Sequence, residues 1–128
     1  TIHSNSCEST WRRMVTLCKR KYPNVDDKVI LNLVTEAFPI VVYAKQLENK
    51  QRRIMEIMEC EILSDGTRKY HSLYQYRITE NRMENGKFVI TGSHEKCADI
   101  SPSLQRRLLE NGMPQDELNK LLRKESGK

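Results

Sequence analysis

The sequence predicts an α/β domain with the order helix, helix, strand, β-meander, helix, helix. Apolar residues recur at helical spacing near both ends of the 128-residue chain. In the middle third, short apolar or alternating runs are separated by the turn sequences Asp65-Gly66 and Asn85-Gly86, which is the pattern of antiparallel strands joined by tight turns. With 38% hydrophobic and 30% charged residues, a chain of this length has material for one domain core rather than two.

The first two elements are predicted helices. Apolar side chains follow helical spacing over 6–20, and Ser6 is the predicted cap of that helix. The sequence Tyr22-Pro23-Asn24 ends it. Asn24 is then the predicted cap of a second helix over 25–37.

Strands are predicted through the middle of the chain. The run 40–43 is nearly all apolar, which is typical of a strand covered on both faces. Segment 52–63 alternates imperfectly, and its Met, Glu and Arg residues also suit a helix. The Asp-Gly turn that follows it favours a strand. Further strands at 74–78 and 87–91 complete a predicted meander of about three strands.

The end of the chain is predicted to be helical again. Ser101 is followed by Pro102, which suits the first turn of a helix, and Gly112 is the predicted stop. A short amphipathic helix is expected over 114–124, and only 125–128 has the composition of a loose tail.

The opening residues contain the main candidate site. Thr1 to Ser6 has the pattern of the end of a buried strand, a polar turn and a helix cap, as expected of a piece cut from a larger protein. His3 then lies at the C-terminal end of a strand, where open α/β sheets place their ligand sites. The alternative is a structural histidine that ties the strand end to the turn.

Composition and motifs limit the possible functions. The net charge of +5 favours anionic partners, which include nucleotides, nucleic acids and acidic lipids. No apolar run approaches the roughly 18 residues that cross a bilayer, and no GxxxxGK[ST] loop is present to hold a triphosphate. No metal site is predicted, because His94 and Cys97 have no two further ligands nearby. The four widely spaced cysteines include no CxxC pair and are expected to be free thiols, with two disulfides as the alternative.

Three pairs of arginines are candidate phosphate ligands, because a guanidinium group suits oxyanions: Arg12-Arg13, Arg52-Arg53 and Arg106-Arg107. Adjacent residues on a helix point about 100° apart, so one arginine of a helical pair serves a given site. On a strand, Arg52 and Arg53 face opposite sides. The one that points to the core is expected to pair with Glu56 or Glu59.

Several segments together resemble the C-terminal part of a CpaF-type ATPase, from the type II/IV secretion and pilus-assembly superfamily. Thr1-Ile2-His3-Ser4-Asn5-Ser6 is similar to the end of that family's His box, and Arg13 lies where the family carries an arginine. Arg52-Arg53-Ile54, with Ile57 and Glu59, resembles its Arg-Arg-Val…Ile-x-Glu segment. The other similar segments are Leu73-Tyr74-Gln75-Tyr76, Gly86-Lys87-Phe88 with Thr91-Gly92, Pro102 with Leu104, and Gly112-Met113.

This resemblance implies the C-terminal half of a RecA-like P-loop NTPase motor domain. Residues 1–79 would belong to the ATPase core after the His box, and 80–128 would supply a β-hairpin strand and the C-terminal helices. His3 would be the His-box residue near the γ-phosphate. Arg13, Arg52 and Arg53 would support nucleotide binding or the subunit contact, and no metal ligand is implied within this chain.

The same resemblance implies a cytoplasmic homohexamer, peripheral at the inner face of the cell membrane. It would work with inner-membrane secretion or pilus-assembly proteins and would couple hydrolysis of ATP, with Mg²⁺, to transport or assembly. The Walker A and Walker B motifs would precede Thr1, so this chain alone is expected to be inactive and to bind no nucleotide.

The alternative is a small basic module that binds nucleic acid or a secretion-system partner through its arginine and tyrosine faces. With two Phe, one Trp, five Tyr and no RNP-like cluster, direct nucleic-acid binding is the weaker prediction. A purely structural role in subunit packing is compatible with the motor interpretation.

Overall fold

A computed structural model describes residues 1–122, which form four helices and four strands in the predicted order. The helices are α1 (Cys7–Lys21), α2 (Asp27–Ala37), α3 (Pro102–Glu110) and α4 (Gln115–Leu122). The strands are β1 (Ile40–Gln46), β2 (Arg52–Ile62), β3 (Arg68–Glu84) and β4 (Lys87–Lys96). The α/β prediction is confirmed at this level. The end of the helix predicted over 114–124 and the tail 125–128 lie outside the described residues.

The four strands form one antiparallel sheet with the order β1-β2-β3-β4. Each strand follows its neighbour through a short turn, and a short connection of this kind joins only antiparallel strands. The parallel strands of a RecA-like core are therefore not seen within residues 1–122. The strand predicted at 52–63 is confirmed as β2, and the helical alternative is wrong.

β3 is longer than the predicted strand at 74–78. It runs for 17 residues and crosses positions 79 and 80, with a register shift between Ile78 and Glu80. The expected division of the chain into 1–79 and 80–128 stays a prediction. At the end of β3, Asn85 and Gly86 both have positive φ, as a two-residue type I′ turn requires.

The helix caps agree with the sequence at α1 and differ at α2. Ser6 accepts a hydrogen bond from the Ser9 N–H and the Ser9 hydroxyl accepts one from the Ser6 N–H, which is a reciprocal capping box. At α2, the cap is Asp26, not Asn24. Asn24 lies inside a turn closed by the Val25 N–H and the Tyr22 carbonyl at 3.2 Å, so it is not placed to cap the helix.

The main core lies between α1 and the first two strands. Cys7 and Trp11 of α1 pack against Val41, Met58 and Cys60. The indole N–H of Trp11 donates to the carbonyl of Phe38 at 2.9 Å, so the polar end of this buried ring has a partner. A smaller cluster, formed by Leu47, Tyr76, Ile90 and Met55, lies at the other end of the sheet.

β1 is an edge strand, and this corrects the prediction that 40–43 is covered on both faces. Within residues 1–122 it pairs only with β2, and Val42 keeps 53% of its surface exposed. The N–H of Cys60 donates to the carbonyl of Pro39, so the antiparallel alternation points the N–H groups of Ile40 and Val42 away from β2. An apolar run indicates a strand, but it does not reveal which faces have a covering layer.

The C-terminal helices begin and turn as predicted. Ser101 caps α3 by accepting from the Leu104 N–H at 3.2 Å, and Pro102 occupies the first turn. Asn111 ends α3, and Gly112 follows with φ of 98°, the left-handed conformation that favours glycine after a helix. Leu118 of α4 is buried, which anchors the second helix of this pair.

Candidate functional site

The start of the chain and α1 bring two of the four predicted site residues together. His3 and Arg13 line one open depression of about 570 Å³, together with Ser4, Asn5 and Ser9. The chain enters α1 at Ser6, so the residues before this cap lie beside the first two turns of the helix. Both His3 and Arg13 are exposed and accessible to a ligand.

Serine hydroxyl groups hold the wall of this depression. The Ser4 Oγ lies 2.5 Å from the Ser9 Oγ, and the Ser6 hydroxyl donates to the Ser9 Oγ at 3.0 Å. These bonds tie the segment before the helix to its first turn. They therefore keep His3 and Asn5 at the N-terminal end of α1, where the helix dipole favours negative charge.

The side chains of the depression suit a phosphate group. They supply an imidazole, a carboxamide and a guanidinium, and no Asp or Glu is among the residues that line it. Arg13 forms no ion pair within residues 1–122, so its charge is not already neutralised by a carboxylate. Mg²⁺ prefers carboxylate and phosphate oxygens. The residues that line the depression thus have the chemistry to bind a phosphate group. They include neither a phosphate loop nor carboxylate ligands for Mg²⁺.

Arg52 and Arg53 are not part of this depression. They begin β2, opposite Gln46 and Lys45 of β1. Arg52 is exposed, whereas Arg53 is partly buried. The structure therefore separates the second predicted arginine pair from His3 and Arg13.

The expected pairing of a core-facing arginine with a glutamate is wrong. The Arg53 guanidinium carbon lies 5.5 Å from the centre of the Tyr76 ring, and its Nη2 donates to the Gln51 side chain at 3.0 Å. An aromatic face attracts a cation without a carboxylate. Glu56 instead accepts hydrogen bonds from Ser72 and Gln75.

A second groove, of about 310 Å³, separates the start of the chain from β1. Residues 1–4 line one side and residues 41–44 line the other. Among the described residues, no backbone hydrogen bond joins residues 1–4 to β1. The outward edge of β1 therefore borders a gap, with the segment that carries His3 on its far side. Residues 1–4 form no strand, so the prediction that His3 lies at the end of a buried strand is wrong for the described residues.

Sequence analysis missed a buried polar cluster around Glu59. This side chain is 1% exposed, and its carboxylate accepts hydrogen bonds from the Ser101 N–H at 2.8 Å and from the Ser101 hydroxyl. The His71 Nε2 lies 3.4 Å from the same carboxylate. The only signal in the sequence was an acidic residue within an apolar strand, and it was interpreted as a partner for arginine. The cluster attaches α3 to β2.

The buried thiols are poor candidates for catalysis. Burial raises the pKa of the Cys7 thiol to about 12, and the nearby Glu56 carboxylate adds to this shift. Burial also raises the pKa of Cys60. Because the thiolate is the reactive form, neither group is an active nucleophile near neutral pH. All four cysteines are free thiols, as predicted.

Comparisons with known proteins assign no family: no protein-family model matches the chain, and no curated protein does. Within residues 1–122, no three or more His, Cys, Asp or Glu side chains gather to hold a metal ion. No helix in this part of the chain combines the length and the apolar character needed to cross a membrane.

Proposed function

We propose that this chain is the C-terminal part of the RecA-like motor domain of a CpaF-type ATPase, which drives secretion, conjugation or pilus assembly. The observation that carries the proposal is the depression shared by His3, Asn5 and Arg13 at the N-terminal end of α1. The resemblance assigns His3 to the His box and Arg13 to a family arginine. These residues are well separated in sequence, and in the fold they face one space of phosphate-binding character.

The gap beside β1 also supports the proposal. Strands in a sheet lie about 4.8 Å apart, and the edge of β1 presents unpaired N–H and C=O groups. An additional strand in the gap would pair with this edge and continue the sheet towards residues 1–4. In the proposed parent, that strand comes from the part of the motor domain that precedes Thr1 and carries the phosphate loop.

In the depression, the side-chain chemistry of Arg13, His3 and the serines supports a role for each. In the parent, ATP would supply the phosphoryl group that is transferred to water. Arg13 places a positive charge where negative charge develops on the transferred group. His3 donates a hydrogen bond to a phosphate oxygen, and the serine network holds it at the start of α1.

The first test is substitution of His3 in the full-length parent. We expect His3→Ala to lower ATP turnover at least about tenfold, or ~1.4 kcal/mol in barrier height, with the fold intact. His94→Ala is the matched control, because His94 is exposed on β4 and does not line the depression. Steady-state phosphate release measures both variants. Unchanged turnover in His3→Ala would contradict the assignment of His3 to the His box.

Arg13 provides a second test in the same protein. We expect Arg13→Ala to lower turnover by at least about tenfold, because a cation that faces the transferred phosphoryl group contributes substantially to the rate. Lys28→Ala, on the neighbouring helix α2, is the control for loss of one exposed cation. Equal turnover in the two variants would contradict the proposed role of Arg13.

The isolated chain gives a third test. It lacks the phosphate loop, so we expect no ATP turnover and no heat of ATP binding by calorimetry at micromolar concentrations. Micromolar binding of ATP to these 128 residues would show that the depression is a complete site, and the proposal of a divided motor domain would fail.

A further inference from the structure

The excess positive charge of the protein is concentrated on α1. This helix contains one acidic residue, Glu8, and five basic residues, whereas the net charge of the entire chain is +5. Lys19 is neutralised by Asp27, with the two side chains 2.8 Å apart. The other four basic residues of α1 form no ion pair within residues 1–122: Arg12, Arg13, Arg20 and Lys21.

The three arginines share the outer face of α1, and Lys21 lies at the C-terminal end of the helix. At about 100° per residue, Arg12, Arg20 and Arg13 fall within a sector of about 100°, with Leu17 next to them. We define the outer face of α1 as the exposed residues Arg12, Arg13, Thr16, Leu17 and Arg20, together with Lys21 at the C-terminal end of the helix. The opposite side of the helix packs against α2 and the sheet, so this face is left to solvent.

Apolar groups are interspersed with the cations. Leu17 keeps 38% of its surface exposed, and Tyr22, directly after the helix, keeps 53%. The Lys21 ammonium lies 5.8 Å from the centre of the Tyr22 ring, so the aromatic ring and the cation project from the same end of the helix. Cations that contact anionic headgroups, beside apolar side chains that enter the lipid boundary, are the combination by which peripheral proteins bind membranes.

We propose that the outer face of α1 binds the surface of an anionic lipid bilayer. From Arg12 to Lys21, α1 extends about 14 Å at 1.5 Å per residue. A flat surface can therefore contact Arg12 and Arg20 together, because they lie about two turns apart on one side of the helix, while Lys21 lies at the helix end next to Tyr22. Surfaces that bind single-stranded nucleic acid present several stacking aromatic rings, whereas Tyr22 is the one aromatic residue in the sequence 12–22. Arg13 also lines the depression proposed for nucleotide, so the test leaves this residue unchanged.

The test measures sedimentation of the 128-residue chain with vesicles of phosphatidylcholine, with and without phosphatidylglycerol. We expect binding only to the anionic vesicles, with release at high salt because screening weakens these contacts. In the α1 variant, Arg12→Glu, Arg20→Glu and Lys21→Glu are combined. Each basic residue near an anionic surface strengthens binding about fivefold. The apparent affinity of this variant should therefore fall at least tenfold.

A matched control separates this face from net charge alone. The control variant combines Lys45→Glu, Lys87→Glu and Arg106→Glu, which change the net charge by the same amount at exposed positions on other elements. We expect this variant to keep most of the binding to anionic vesicles. Tyr22→Ser should weaken binding to vesicles with no change in charge. Trp11 fluorescence reports whether each variant is folded. If the α1 variant is unfolded, it is replaced by a variant that combines Arg12→Gln, Arg20→Gln and Lys21→Gln.

Three outcomes would overturn the proposal. One is the absence of binding to anionic vesicles at low salt. Another is an equal loss of affinity in the α1 variant and its matched control, which would indicate a general charge effect. The third is tight binding of duplex DNA that the α1 variant loses while its binding to vesicles is unchanged, which would assign the face to nucleic acid.

Discussion

Glu59 connects a central strand to the start of a distant helix. Its carboxylate accepts both the N–H and the hydroxyl of Ser101, and the Ser101 Oγ in turn accepts the N–H of Leu104 in the first turn of α3. A buried carboxylate is costly without such partners. The cap of α3 is therefore held by the sheet and not only by local sequence.

Removal of the Glu59 carboxylate should destabilise the fold. Glu59→Ala leaves the N–H and hydroxyl of Ser101 without their buried acceptor, so we expect a loss of about 2–4 kcal/mol in the free energy of unfolding. Glu59→Gln keeps one acceptor oxygen and should lose less. Glu61→Ala, two residues along β2, is the control and should lose under about 1 kcal/mol. Urea denaturation measures all three, and equal losses at positions 59 and 61 would contradict this account.

The buried thiol of Cys7 should make stability fall at alkaline pH. The folded state raises its pKa from 9.0 to about 12, so the folded protein retains a proton that the unfolded chain releases. The contribution of this thiol to the free energy of unfolding is fully present below pH 9 and is lost as the pH rises towards 12. At pH 10 the loss is about 1.4 kcal/mol, because one pKa unit corresponds to that energy.

Urea midpoints at pH 8 and pH 10 measure this dependence. The raised pKa values of Cys60 and Tyr70 act in the same direction, so Cys7→Ala should reduce the pH dependence without removing it. Cys97→Ala removes an exposed thiol and should keep the wild-type dependence. If Cys7→Ala and wild type lose the same free energy between the two pH values, the assignment to Cys7 is wrong.

At the scale of single residues, the features that were predicted correctly are those that depend on neighbours in the sequence. The caps Ser6 and Ser101 were predictable because a short polar side chain precedes each helical pattern. The cluster around Glu59 was not predictable, because His71 and Ser101 approach it only after three separate segments have folded together. The depression that His3 and Arg13 share was not predicted from spacing, although the resemblance gave both residues a role in the motor.

At the scale of elements, β3 and β4 form a two-stranded ribbon beyond the rest of the sheet. β2 pairs with β3 only as far as Gln75, whereas β4 continues to pair with β3 to Glu84. Arg82 forms ion pairs with Glu80 and Glu84 along the ribbon. The polar sequence 79–84 carries little strand signal, so the sequence prediction ended β3 too early. Pairing with β4 extends it.

Gly92 is a position in this ribbon that has no room for a side chain. A Cβ atom at Gly92 would lie 2.4 Å from the Arg77 carbonyl oxygen and 2.9 Å from the Tyr76 ring, so the backbone must shift. We expect Gly92→Ala to cost about 1–3 kcal/mol of stability, the range for overpacking. Ser93→Ala, at the next and exposed position, should cost under about 1 kcal/mol. Equal melting temperatures for the two variants would contradict the predicted clash.

At the scale of the molecule, the face of the sheet that α1 covers is better buried than the opposite face near β1. α1 packs on the face that carries Met58 and Cys60, and α3 attaches through Glu59 on the opposite face. Towards β1, Val42 and Ile54 remain about half exposed. The order of elements was predictable because each has a local pattern. The open edge was not, because the covering of a strand depends on segments remote in sequence.

The open edge of β1 gives a prediction that concerns the complete parent. In the part of this chain that the structure describes, the outward N–H groups of Ile40 and Val42 have no strand partner, whereas those of Val41 and Tyr43 point towards β2. Hydrogen exchange followed by NMR should show the first pair exchanging at least about tenfold faster than the second.

In the proposed motor domain, a further strand fills the gap of about 310 Å³ and pairs with this edge. The amides of Ile40 and Val42 should then become as protected as those of Val41 and Tyr43. The β4 edge serves as the internal control: the outward amides of β4, which lie on the far side of the sheet, should exchange alike in both proteins. Rapid exchange of Ile40 and Val42 in the full-length parent would show that the gap stays open. The sheet would then end at β1, and the interpretation of this chain as part of a larger sheet would be wrong.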